Sequence, residues 1–131
     1  MDTPAPRRRF DLVAYLKLVR FPLVFTAIAD SAAGYFIGRL GGDDPITPTL
    51  GLLALSSAGL YLSGMALNDI ADLDKDRQSA PSKALPSGRV SRRGAISLAV
   101  VLLGLSFLAA CLAPGRLRVL TAWGAVVVSI L

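Results

Sequence analysis

The sequence predicts an all-α protein whose helices cross a membrane several times and pack as a bundle. Its mean hydropathy of +0.58 and its 53% of hydrophobic residues exceed what an ordinary soluble domain needs. The apolar residues form long runs that are separated by short polar segments. The chain lacks histidine and has a single cysteine, Cys111, which excludes His-dependent triads, His-ligated zinc and an internal disulfide.

The basic residues, which give a net charge of +5, flank the apolar runs. They are not interleaved with aromatic residues, so we expect membrane contacts and no nucleic-acid partner. Eleven of them fall on one predicted side of the membrane, namely Arg7, Arg8, Arg9, Lys17, Arg20, Lys75, Arg77, Lys83, Arg89, Arg92 and Arg93. Only three fall on the other side, namely Arg39, Arg116 and Arg118. This asymmetry predicts a multi-pass protein of the cytoplasmic membrane with a cytoplasmic N-terminus.

The N-terminal part of the chain is predicted to lie outside the bilayer. Residues 1–10 are rich in proline and arginine and are predicted to form a disordered basic tail. In residues 11–20, Leu12, Leu16 and Val19 recur at helical spacing among polar residues. This pattern predicts a short amphipathic helix at the membrane surface, which leads into the first span.

Four apolar runs are predicted to be membrane helices, at about 21–38, 50–67, 95–113 and 119–131. The first run extends ~27 Å as a helix, close to the ~30 Å thickness of the hydrocarbon core. The last run extends only ~20 Å, so the fourth span is predicted to be incomplete. We therefore expect 11–131 to be the N-terminal part of a larger transmembrane helical domain.

Asp30 is an ionisable residue near the middle of the first predicted span. Such residues are rare at membrane depth because burying a charge in hydrocarbon is costly. Three interpretations stay open at this point. The carboxyl group pairs with a neighbouring helix, or the run 21–38 lies less deep in the membrane than its length suggests, or the carboxyl group lines a cavity.

A dense polar segment, 68–91, separates the second predicted span from the third. If the second helix continues into it, Asn68, Asp72 and Asp76 recur every four residues on one face, with Asp69 beside them. Stacked carboxylates without a basic residue on the same helix face repel one another unless a divalent cation neutralises them. Oxygen ligands favour magnesium or calcium, and magnesium commonly bridges to phosphate oxygens. The segment thus predicts a magnesium site for a diphosphate-bearing lipid.

Two other motifs fit the same residues less well. Asp72, Asp74 and Asp76 have the D-x-D-x-D spacing of a calcium loop, but Arg77 and Lys83 stand where that loop needs glycine and glutamate. The D-G-x-x-A-R opening of the membrane CDP-alcohol phosphatidyltransferases is absent. A solvated loop between two spans would explain the charges but not their helical register.

Two stretches of the polar segment together resemble the first aspartate-rich motif of the UbiA superfamily of intramembrane prenyltransferases. They are N-D-x-x-D-x-x-x-D at 68–76 and L-P-S-G-x-V-S at 85–91. The surface helix that ends in Arg20-Phe21-Pro22 is also similar to the start of that superfamily. The resemblance covers essentially the whole chain and implies a helical bundle with a central cavity open to the membrane.

The resemblance also implies an activity, which is the magnesium-dependent transfer of a prenyl group from a prenyl diphosphate to an aromatic or other lipophilic acceptor among the membrane lipids. It implies that magnesium is held by Asn68, Asp69, Asp72 and Asp76, and that Asp72 and Asp76 are catalytic. The implied residues for the diphosphate are Arg20, Arg77 and Lys83. Lys83-Ala84 replaces the Arg-Pro that is usual in that superfamily, so a point charge would replace a fork-shaped clamp.

The sequence departs from the superfamily after Ser91, because no acidic residue follows it. Members of the superfamily carry a second aspartate motif in a later repeat. We therefore expect the 131-residue chain to be inactive by itself. The alternative function is a non-catalytic membrane half-bundle or partner subunit; a transporter, suggested by Asp30, would leave the 85–91 motif unexplained.

Overall fold

A computed structural model describes residues 11–38, 47–114 and 116–130. Across these ranges the chain is helical and contains no strand, which confirms the predicted fold class. The α-helices are α1 Leu12–Leu18, α2 Val24–Gly38, α3 Thr47–Ala71, α4 Leu73–Ser79, α5 Arg92–Leu112 and α6 Arg116–Ile130, and a 3-10 turn, Phe21–Leu23, precedes α2. The predicted tail, 1–10, lies outside the described residues.

Three helical stretches are long and apolar enough to cross a membrane. They are Phe21–Gly38, Pro48–Ala71 and Arg92–Leu112. They coincide with the first three predicted spans, although α3 extends four residues beyond the predicted end at 67. The apolar part of α6, Val119–Val128, is shorter than these three stretches.

Helix α3 is the centre of the bundle and packs against α2, α5 and α6. Its closest approach is to α5, at Gly59. A Cβ atom added to Gly59 would lie 2.9 Å from the carbonyl oxygen of Leu102 and 2.9 Å from Cβ of Ser106. The absence of a side chain at Gly59 therefore sets the distance between the two helices, as small residues often do between membrane helices.

Hydroxyl groups connect the same helices by hydrogen bonds inside the bundle. The buried Ser106 donates to the carbonyl oxygen of Ser56 at 2.7 Å and accepts from Nε1 of Trp123 at 2.8 Å, which joins α5 to α3 and α6. Ser57 of α3 donates to the carbonyl oxygen of Ala27 in α2 at 3.1 Å. Each bond satisfies a polar group that could not reach water at membrane depth.

The surface helix α1 contacts the bundle through Ala14 and Leu18, and Val19 follows directly after it; all three residues are buried. Leu12 is 58% and Leu16 is 37% exposed, and both line a groove beside α5. The apolar residues of the predicted pattern are therefore divided, with Val19 buried and the two leucines on the outer side. The placement of α1 at the membrane surface stays a prediction.

Candidate functional site

The aspartate-rich face continues from α3 into α4 without losing its register. The amide of Asp72 donates to the carbonyl oxygen of Asn68 at 2.9 Å, and the amide of Asp76 donates to that of Asp72 at 2.8 Å. Both bonds join residues four apart, as in an α-helix, although α3 ends at Ala71 and α4 begins at Leu73. Asn68, Asp72 and Asp76 therefore occupy successive turns of one helical path, as predicted.

The acidic side chains differ in their exposure to solvent. Asp69 and Asp76 are only 8% and 6% exposed, whereas Asp72 is exposed at the rim of the cluster. The side chain of Asp74 is 91% exposed, so it points away from the others. Two carboxylates are thus buried at the end of a membrane span, where an unpaired charge is costly.

The two buried carboxylates share one cation, Lys83. Its Nζ donates to Oδ2 of Asp76 at 2.7 Å and lies 3.9 Å from Oδ1 of Asp69. The hydrogen bond to Asp76 raises the pKa of the Lys83 ammonium above its ordinary value, so the lysine stays charged at neutral pH. The sequence shows no basic residue on this helix face itself. The loop after α4 nevertheless folds back and brings Lys83 over the two buried carboxylates.

The L-P-S-G stretch explains how this loop holds Lys83 in place. Leu85 and Val90 are buried, and the amide of Val90 donates to the carbonyl oxygen of Ala84 at 3.0 Å. Gly88 has a φ of +73°, a left-handed conformation that glycine adopts without strain. The motif is therefore a compact turn, anchored by two apolar side chains, that fixes the backbone from which Lys83 extends.

Arg20 supplies a second positive charge near the cluster. It interacts electrostatically with Asp69 and with Lys83. Among the described residues it is the only non-glycine residue with a positive φ, at 51°. This left-handed conformation costs on the order of 1–3 kcal/mol and persists where the surrounding structure imposes it, often at functional sites. The structure therefore places Arg20 near the aspartate cluster.

Arg77, the other predicted basic residue, is not brought to the buried carboxylates. Its Nη1 pairs with Oδ1 of Asp74 at 2.7 Å on the exposed side of α4. It also lines a groove that includes Asn68 and Arg92. The structure therefore divides the predicted basic set, with Lys83 and Arg20 at the cluster and Arg77 outside it.

The side-chain oxygen atoms of the cluster are suitable ligands for a hard cation, but not all of them are available. Within the described ranges, no three acidic, cysteine or histidine side chains converge into a ready-made metal site. Asp72 has no side-chain partner among the described residues, whereas Asp76 is engaged by Lys83. The carboxylate and amide oxygens are the ligands that magnesium prefers. They would fit a cation once Lys83 releases Asp76.

A cavity of about 330 Å³ adjoins the cluster between α2, α3 and α6. Asn68 lines it together with Asp30 and Tyr61. Sequence reasoning did not single out Tyr61. Its position seven residues before Asn68 places both side chains on one face of α3, and that spacing could have identified it.

The comparisons with known proteins are consistent with this arrangement. Residues 23–131 match the model of the UbiA prenyltransferase family. No solved structure matches the chain.

Three relatives are each named as a digeranylgeranylglyceryl phosphate synthase. The one from Metallosphaera sedula is 37% identical over 110 residues, which cover 82% of this chain and 37% of the relative. The one from Ignicoccus hospitalis is 34% identical over 95 residues, covering 72% and 29%. The one from Halobacterium salinarum is 39% identical over 88 residues, covering 66% and 29%. The chain thus spans about a third of the length of these relatives.

Proposed function

Because this chain belongs to the UbiA prenyltransferase family and is an integral membrane protein, we propose that its protein transfers a prenyl group from a prenyl diphosphate to a lipophilic acceptor in the membrane. The observation that supports the proposal most directly is the aspartate face at the end of α3. It combines buried carboxylates, one exposed carboxylate and two cations at the edge of the apolar bundle. Such a site suits a substrate with an anionic head and an apolar tail.

Members of the family generally use a divalent metal, and we propose magnesium for this protein. Asn68, Asp69, Asp72 and Asp76 would hold it. A bound magnesium ion would neutralise the diphosphate and stabilise it as a leaving group. Asp72, whose carboxylate is exposed, offers the first ligand, and Asp76 becomes available when Lys83 moves.

The cations of the site would bind the diphosphate. Lys83 can turn from Asp76 to a phosphate oxygen, because its flexible stem carries three donors. Arg20 interacts with the same cluster and is held at the junction between α1 and the first span. Arg77 would have to leave Asp74 before it could reach the diphosphate.

The apolar walls of the bundle would hold the isoprenoid tail and exclude water from a reactive allylic centre. We propose that the aspartate face lies at the cytoplasmic side, where the basic residues concentrate. The relatives' name describes geranylgeranyl groups carried on a glyceryl phosphate, which favours an alcohol acceptor over an aromatic one.

Prenyl transfer in membranes that contain the protein at its natural length tests the proposal. We expect magnesium-dependent transfer of a radiolabelled prenyl group to the lipid fraction. Asp72→Asn should reduce this transfer by about 10²-fold or more, as the loss of one electrostatic stabiliser commonly does. Asp74→Asn is the matched control, because its carboxylate points away from the cluster, and it should leave the rate unchanged.

Two outcomes would count against the proposal. Equal magnesium-dependent turnover by Asp72→Asn and wild type would refute the metal-binding role of this face. A correctly inserted protein without any transfer would instead favour the non-catalytic half-bundle.

A further inference from the structure

Asp30 lies within α2, in the middle of a stretch that is apolar enough to cross a membrane. Its side chain is exposed and forms no hydrogen bond or ion pair with any described residue. Of the interpretations that the sequence leaves open, pairing with α3, α5 or the described part of α6 is therefore not observed. A carboxyl group without a partner at this depth is a candidate for ligand binding.

The surroundings of Asp30 form a binding cavity. The volume of about 330 Å³ is at the lower end of the range for small-molecule sites. Polar groups from two helices face it, together with an apolar wall that includes Leu60, Met65 and Val126. The polar lining comprises Asp30, Ser57, Tyr61 and Asn68.

The cavity connects the middle of the membrane to the aspartate face. Ser57 and Asn68 both line it and are eleven residues apart on α3, which corresponds to ~16 Å along the helix. Asn68 is also one of the residues proposed to bind the metal and the diphosphate. A lipid that enters this cavity from the bilayer would therefore reach the reacting end of a prenyl diphosphate from the membrane side.

We propose that this cavity is the acceptor site and that Asp30 binds the hydroxyl group of a lipid alcohol. The inference extends the proposed prenyl transfer and rests on it. A hydroxyl group can donate a hydrogen bond to the carboxyl oxygens of Asp30, which otherwise have no partner among the described residues. The apolar wall of the cavity would contact the hydrocarbon next to that hydroxyl.

Equilibrium binding of two radiolabelled probes to the purified protein of natural length tests this assignment. The first probe is geranylgeranylglycerol, an uncharged lipid alcohol, and the second is geranylgeranyl diphosphate with magnesium. We expect Asp30→Ala to weaken binding of the alcohol by about tenfold or more, because a hydrogen bond to a carboxylate contributes about 1.5–3 kcal/mol. Binding of the diphosphate should stay within about twofold of wild type.

Asp30→Asn should weaken alcohol binding less than Asp30→Ala, since the amide keeps an acceptor oxygen. If Asp30→Ala does not fold, Asp30→Asn provides the comparison. Asp74→Asn is the exposed-carboxylate control and should bind both probes like wild type.

The inference is overturned if wild type does not bind the alcohol, if both Asp30 variants bind it unchanged, or if both probes weaken together. Failure of the proposed function has a different signature. In that case wild type would not bind the diphosphate with magnesium, whatever residue occupies position 30.

Discussion

Ser56 and Ser106 form a serine cluster inside the bundle, and the aspartate cluster lies at the end of α3. Both consist of polar groups in an apolar protein, but the two clusters differ in how far their polar groups have partners. Ser106 donates to Ser56 and accepts from Trp123, so its hydroxyl is satisfied in both directions. In the aspartate cluster, Lys83 serves two buried carboxylates at once. The comparison teaches that satisfied polar groups join helices, whereas a surplus of one charge indicates a binding site.

The charges explain why the two clusters differ in this way. Three carboxyl groups, of Asp69, Asp72 and Asp76, face two cations, Lys83 and Arg20, so the acidic groups outnumber the cations by one. Near a low-dielectric boundary such an imbalance attracts a further cation. The hydroxyl cluster carries no charge, and its hydrogen bonds stabilise packing by modest amounts each.

Asp76→Asn should have the largest effect, since it removes the carboxylate that is both buried and closest to Lys83. We expect prenyl transfer to fall by about 10²–10³-fold, because the site loses a charge that acts on the metal and the diphosphate. Turnover in membranes is the measurement, and circular dichroism of the purified variant checks the fold. If this variant kept its activity, the aspartate cluster would only stabilise the fold, as the serine cluster does.

Gly59→Ala should have the largest effect on the packed region. Its new methyl group would meet the backbone of α5, so we expect a loss of about 1–3 kcal/mol in the free energy of unfolding. Gly51→Ala, on the same helix, is the matched control, because a Cβ there has no neighbour within 4 Å. Unfolding in a denaturing detergent measures both, and equal stability of the two variants would contradict the close approach at Gly59.

Lys83→Met should reduce stability by about 1–2 kcal/mol, because it leaves two buried carboxylates without their shared cation, while the partial exposure of the lysine screens the effect. We expect magnesium to raise the melting temperature of this variant more than that of wild type, since the ion no longer competes with the ammonium. Lys83→Arg should behave like wild type. A variant that magnesium does not stabilise would argue against cation binding by this cluster.

Ser106→Ala should have the smallest effect, about 0.6–1.7 kcal/mol in detergent unfolding, which is typical of hydrogen bonds between membrane helices. Prenyl transfer should remain near the wild-type rate, because the hydroxyl cluster joins helices and holds no substrate. Ser97→Ala, on the exposed side of α5, is the control and should be neutral. A large loss of activity at unchanged stability would give the serine cluster a role that its closed hydrogen bonds do not suggest.

Sequence reasoning succeeded where the signal was local. The spans follow from run length, and the register of Asn68, Asp72 and Asp76 follows from helical spacing alone. It could not place Lys83, because this residue follows Asp76 by seven positions and lies beyond the end of α4, in a turn whose path depends on the buried Leu85 and Val90. The sequence shows that basic residues lie near the aspartates, but it does not show which aspartate each of them contacts.

The sequence also did not show which residues pack against each other. The sequence did not show that α1 would meet the bundle through Ala14 and Leu18 while Leu12 and Leu16 remain exposed. Nothing in the sequence linked Ser106 to Trp123. The left-handed backbone of Arg20 likewise follows from the junction of two helices and has no counterpart in residue preference.

The magnesium dependence of diphosphate binding tests the central claim most directly. Binding of radiolabelled geranylgeranyl diphosphate to the protein of natural length would be measured with and without magnesium, for wild type and for Asp72→Asn. We expect magnesium to strengthen binding to wild type by about tenfold or more, equivalent to about 1.4 kcal/mol, and to leave the variant nearly unaffected. Equal magnesium dependence in both proteins, or none in wild type, would contradict the assignment of the aspartate face as a metal and diphosphate site.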